Sequence, residues 1–190
     1  FVFQSIGRCH EKLGNDRLAQ KFYLKSVQTE PTNEKGWVSL INHHIQIGNL
    51  KKAKHYLSSA LDVNSDSFLL WMKSAEIYKA LDQNKKALTA YTKALDLGYF
   101  EHSFLLDFID LNLETAQWEE AYQIAKTAFK GYPESEDVKL RLGGCSLVLG
   151  HQGESKYLLD PNLVQKEALD ILLRLFSKAE PLLFNHFLSK

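Results

Sequence analysis

Apolar residues recur along this chain at helical spacing, in paired segments separated by short polar breaks. Phe3, Ile6, Cys9, His10 and Leu13 share one face of a helix predicted over 2–13. Gly14-Asn15-Asp16 breaks that helix, and Asp16 is placed to cap the next, over 17–29. This second helix buries Leu18, Ala19, Phe22, Tyr23 and Val27, and Pro31 ends the pair because it cannot continue a helix. The same phrasing predicts helices over 34–47 and 50–63, over 68–81 and 84–97, and over 101–115 and 118–131. Breaks of two or three residues require each pair to fold back as an antiparallel hairpin. No stretch alternates like a strand for long enough to compete.

The pairs keep a common period. Ala19, Ala53, Ala87 and Ala121 follow one another at intervals of 34 residues. Sixteen residues before each stands a large apolar residue (Phe3, Trp37, Trp71, Leu105), and seven after it a small one (Ser26, Ala60, Ala94, Ala128). Four units in step are an internal repeat. A fifth begins in phase, with Leu142-Gly143 and Gly150 at the places of Ile6-Gly7 and Gly14. Its second helix begins near Gln152 and stops at Asp160-Pro161, which open a helix over 162–178 and then a short apolar piece from Pro181. An atypical last unit is what the open end of a repeat stack needs. The apolar tail either folds back on that cap, or meets residues beyond Lys190 or a second subunit.

Each alanine is expected where two helix axes cross closely, so that a larger side chain would overpack. The large residue fills the wedge between hairpins. A small rotation at each hairpin winds such a stack into a superhelix with a concave face.

These residues resemble the tetratricopeptide repeats. The family signature W-x2-L-G-x2-Y…A-x3-F…P reads here as Phe3-x-x-Ile6-Gly7-x-x-His10…Ala19-x-x-x-Tyr23…Pro31. It continues as Trp37-x-x-Leu40…Ala53-x-x-x-Leu57, as Trp71…Tyr78…Ala87-x-x-x-Tyr91, and as Leu105, Ala121 and Pro133. Ile41, Ala75 and Ile109 replace the small glycine, and the second and third units lack the closing proline. The resemblance implies an all-α, right-handed superhelical solenoid of antiparallel hairpins with a C-terminal helical cap. The expected units are 1–33, 34–67, 68–101 and 102–135, a degenerate 136–159, and capping helices over 160–190.

The resemblance also implies a non-catalytic scaffold that holds a peptide or partner protein on the concave face, lined by the first helix of each hairpin. Counting from the signature residues places Gln4, Arg8, Lys35, Val38, Ser39, Asn42, Leu69, Met72, Lys73 and Glu76 there. Ser103, Leu106, Asp107, Asp110, Asp137, Leu140 and Arg141 continue the row. The row is basic early and acidic late, with Val38, Leu69, Met72 and Leu106 between. It suits a segment with an apolar centre and opposite charges at its ends, unless these are simply solvated helix positions. Chaperone-binding members of the family grip a C-terminal carboxylate with Lys, Asn, Asn, Lys and Arg. Here only one residue of either three-unit set matches, so that clamp is not expected.

Composition narrows the remaining chemistry. The 190 residues balance 23 basic against 23 acidic side chains, so no net field favours nucleic acid or an anionic membrane. Cys9 and Cys145 stand far apart without CxxC spacing and are expected as buried free thiols in a reducing compartment, hence a cytoplasmic protein, with the periplasm left open. No apolar run spans a bilayer, and no Asn-x-Ser/Thr acceptor occurs. The repeat is already in phase at Phe1, so a piece of a longer or processed protein is expected.

His43 and His44 are adjacent on a helix and point about 100° apart, so they cannot chelate one metal together. His44 and His10 occupy the aromatic signature position and are expected in the core. Cys9-His10 has the same geometric fault and no third partner. Asp107, Asp110 and Glu114 share a helical face, read as solvated, with a weak cation site as the alternative. Gly143-Gly144 lacks the context of a phosphate loop. Lys51-Lys52-Lys54 and Lys85-Lys86 read as convex solvent faces. No enzyme activity, cofactor, metal, nucleic-acid ligand or membrane insertion is expected. The alternative function is a structural domain that oligomerises through its apolar tail, residues 182–188.

Overall fold

The computed structural model describes residues 1–151 together with 153, 155 and 158. They fall in two compact units, Phe1–Tyr99 and one beginning at Phe100. The first unit holds α1 (Val2–Lys12), α2 (Asp16–Thr29), α3 (Glu34–Gln46), α4 (Leu50–Val63), α5 (Phe68–Ala80) and α6 (Asn84–Asp96). The second holds α7 (His102–Glu114), α8 (Trp118–Gly131) and α9 (Glu136–Val148), and Gly153, Ser155 and Leu158 are also helical. Among the described residues there is no strand. The expected capping helices over 160–190 lie outside the described residues.

Within the first unit α1–α2, α3–α4 and α5–α6 are antiparallel hairpins, and α2 packs on α3 and α4 on α5. The alanine of each second helix is fully buried at Ala19, Ala53 and Ala87, and so is Ala121 in the second unit. The small residue seven positions later is buried too, at Ser26, Ala60, Ala94 and Ala128. Steric room at the crossing is therefore the constraint that the spacing encodes. Inside the hairpin, volume is traded between helices. A Cβ on Gly7 would lie 2.7 Å from the Tyr23 ring, so the first hairpin sets a tyrosine against a glycine. At the same two positions the later units carry Ile41 with Leu57, Ala75 with Tyr91, and Ile109 with Ala125, all buried. In the second and fourth repeats the larger isoleucine stands opposite a residue smaller than tyrosine, whereas the third keeps the tyrosine against an alanine.

The large signature residues divide. Trp37 and Leu105 are buried, whereas Phe3 and Trp71 are only half-buried, so they do not fill the expected wedge completely. Both tryptophans of this set pin the preceding loop. The indole of Trp37 donates to the Pro31 carbonyl at 2.7 Å, and that of Trp71 to the Ser65 carbonyl at 2.8 Å. Four polar residues spaced by the same period cap the first helices. Asn33, Ser67, Glu101 and Ser135 each accept a hydrogen bond from a backbone N–H of the turn they open. At the second helix of the first unit, Asn15 holds the cap position, and the expected cap Asp16 lies inside the first turn. Its negative charge suits the positive end of the helix.

The turn inside each hairpin is the most regular feature of the backbone. Gly14, Gly48, Asp82, Ala116 and Gly150, each 34 residues from the last, all have positive φ, between 56° and 81°. The N–H of the following residue donates back to the carbonyl five positions earlier at 2.7–2.9 Å in all five. This left-handed closure satisfies a helix-end carbonyl and costs little only for glycine. A Cβ on Gly48 would meet nothing within 4 Å, so only its backbone conformation resists substitution. Gly48→Ala should therefore destabilise the chain by about 1 kcal/mol, and Ala116→Gly should stabilise it by somewhat less. Urea denaturation followed by circular dichroism measures both; equal and unchanged midpoints would refute this account of the turn.

Candidate binding surface

On the first unit the expected groove residues come from α1, α3 and α5. Arg8, Lys35 and Glu76 are exposed, and Val38, Asn42, Leu69, Met72 and Lys73 are half-buried. Gln4 ties α1 to α3 by donating to the Ser39 hydroxyl at 2.7 Å and to the Lys35 carbonyl at 3.0 Å. Lys73 and Glu76 meet one turn apart at 2.6 Å, so two charges expected to act on a ligand act first on each other. Arg8 and Lys35 enter no ion pair among the described residues. Three apolar side chains and two unpaired cations are what this face presents to solvent.

The second unit differs. Leu106 is half-buried and Asp107 exposed. Asp110 is gripped by both arms of Arg141, with Nε at 2.6 Å and Nη2 at 2.8 Å, and Arg141 also donates to the Asp137 carbonyl at 3.0 Å. Burial opposes the charge of this guanidinium, but the Asp110 carboxylate outweighs it and raises the Arg141 pKa above its ordinary value. Leu140 and Arg141 are buried, not solvent-facing as the spacing suggested. The Ser103 hydroxyl donates to Glu101 at the helix cap. Much of the expected acidic row is thus occupied with holding α7 to α9 and capping α7.

The histidines belong to a polar cluster in the core of the first unit. Glu11 joins α1, α2 and α3 by accepting from the Tyr23 hydroxyl at 3.0 Å and lying 3.0 Å from Nδ1 of His43. Burial and the neighbouring Glu11 raise the Tyr23 pKa, so the phenol stays protonated and donates. His44 is fully buried, stacked on Tyr56 and edge-on to His43, with no partner on either ring nitrogen. His10 stacks on Phe22 with ring centroids 5.4 Å apart. Glu11 carried no signal in the sequence, because its partners lie on two other helices. Cys145 is buried, which pushes its thiol up to about 12, but Cys9 is exposed, contrary to expectation. The positions equivalent to Cys9 (His43, Ile77, Leu111, Cys145) are all buried. Among the described residues no group of three or more His, Cys, Asp or Glu could hold a metal ion, and no helix is long and apolar enough to cross a membrane.

A family model described as tetratricopeptide repeat matches residues 2–33 and 69–97. The chain carries tetratricopeptide repeats. A TPR repeat-containing protein of Methanocaldococcus jannaschii is 29% identical over 65 residues, which cover 32% of this chain and 19% of that protein. The match thus spans about a fifth of the relative's length. Among solved structures, MamA aligns with a TM-score of 0.69 at 16% identity, over 89% of each chain. YrrB, described as a TPR protein with an unusual peptide-binding site, aligns with a TM-score of 0.63 at 16% identity, over 99% of this chain and 91% of that one. At such identities the likeness is one of fold, and the fold is an all-α helical-repeat solenoid.

Within the tetratricopeptide core, His44 should make stability depend on pH. Burial, then His43, then Lys52 lower its pKa from 6.5 to about 4. Above the unfolded value the ring is neutral in both states and its contribution is fully present. As pH falls from about 6.5 towards 4 the unfolded chain takes the proton first, and on the order of 2–3 kcal/mol is lost. His44→Phe keeps a ring against Tyr56 and removes the titration. Urea midpoints across this pH window should fall more steeply for the wild type than for the variant; parallel curves would show that His44 contributes nothing.

Proposed function

We propose that this tetratricopeptide chain is a non-catalytic interaction scaffold, and that the first helices of its first unit hold a peptide or an extended segment of a partner protein. The observation that carries this reading is the half-buried apolar row of Val38, Leu69 and Met72, together with Arg8 and Lys35, which enter no ion pair among the described residues. Such a face suits a segment with an apolar centre and an acidic end, steered by complementary charge. The fold it shares with YrrB, a protein described by its peptide-binding site, supports the general role. Leu106 and Asp107 occupy the equivalent repeat positions in the second unit. Asp110 is left out of the ligand-binding set because its carboxylate is committed to Arg141.

The test is a crosslinking pull-down from source lysate that compares the wild type with Arg8→Glu/Lys35→Glu. Both side chains are exposed, so circular dichroism should show an unchanged fold. Partners that depend on this face should be weakened at least about tenfold, roughly 1.4 kcal/mol, in the variant. A full set of partners retained at wild-type strength would move function off this face.

A further inference from the structure

We propose that the chain associates head to tail with a second copy of itself, the basic edge of its first unit meeting the acidic edge of the second unit of its neighbour. A change of sign at equivalent repeat positions carries the inference. The first turns of α4 and α6 contain Lys51-Lys52 and Lys85-Lys86, all exposed, and neither turn has an acidic residue. At the same positions of the next repeat, the first turn of α8 contains Glu119 and Glu120, also exposed. Acidic side chains suit the start of a helix and basic ones oppose it. Local helix stability therefore accounts for the glutamates and not for the lysines, which occur twice where they are disfavoured. The basic edge runs on into a cleft of about 450 Å³ between α4 and α5, bordered by Lys51, Lys54, Trp71 and Tyr78. Lys54 and Lys86 each lie 5.5 Å from the Tyr78 ring centroid, which keeps their charges gathered at that edge.

The same sign change runs through the units as wholes. Residues 1–99 hold 14 basic and 9 acidic side chains, a net +5, and residues 100–190 hold 9 and 14, a net −5. The zero net charge of the chain conceals two opposed fields. A pairing that set one patch against its own copy would bring like charges together. A pairing of first unit against second sets the lysine edge against the glutamate edge. The anionic surface that fits the lysines is thus one the protein itself supplies. A nucleic acid is the less suitable occupant, because Asp62 also lines the cleft and the indole of Trp71 is tied to Ser65.

Sedimentation velocity of the full 190-residue chain tests this at about 0.05 M salt, where the Debye length is roughly 14 Å, and at about 0.5 M, where it is roughly 4 Å. The sedimentation coefficient should rise with protein concentration at low salt and stay monomeric at high salt. The variant Lys51→Glu/Lys52→Glu/Lys85→Glu/Lys86→Glu, whose glutamates suit their helix starts, should fold and remain monomeric alone. So should Glu119→Lys/Glu120→Lys, with Glu119→Gln/Glu120→Gln as its milder form if circular dichroism shows damage. Mixing the two reversed variants should restore association, because a native lysine edge then meets a native glutamate edge. A wild type that stays monomeric at low salt, a lysine variant that associates like the wild type, or a mixture that stays monomeric would each overturn the proposal. So would a monomeric wild type that binds labelled single-stranded RNA through these lysines. The groove variant Arg8→Glu/Lys35→Glu should self-associate normally, which keeps this test separate from that of the peptide-binding face.

Discussion

Close approach of helix axes is the constraint on which the rest of this structure depends. At Ala19, Ala53, Ala87 and Ala121 no side chain larger than a methyl group stands between the two helices of a hairpin. Neighbouring side chains then interlock at interior density, and apolar surface leaves water on both sides of the crossing. The hairpin turn follows from the same demand. To bring the second helix back at once, the chain must pass through a left-handed residue, and it does so at one place in all five turns.

That regularity explains what the sequence made legible. A period of 34 residues, apolar faces of helical spacing and short polar breaks located α1 to α8 to within a residue or so at their ends. These signals are local, or they repeat, and either property lets them be read along the chain. The cap residues Asn33, Ser67, Glu101 and Ser135 obey the same period but differ in type, so they were harder to see.

The candidate surface was less legible because charge pairing depends on contacts across helices. Arg141 reaches Asp110 from a helix one repeat later, and Glu11 draws Tyr23 and His43 together from two other helices. Spacing alone assigns such residues to a face and cannot say which are already satisfied. The exposure of Cys9 has a related origin. Its repeat position is buried in the four later repeats, and the spacing that places it there does not report exposure.

Gly7 against Tyr23 carries a consequence for how such repeats diverge. At this pair of positions the side chains differ from hairpin to hairpin, and only the first sets a glycine against a ring. A Cβ at Gly7 collides with the Tyr23 ring, so a larger residue there requires the ring to move or to be replaced on the other helix of the same hairpin. The hairpin, with both partners enclosed, is then the unit that can change its residues while its neighbours keep theirs.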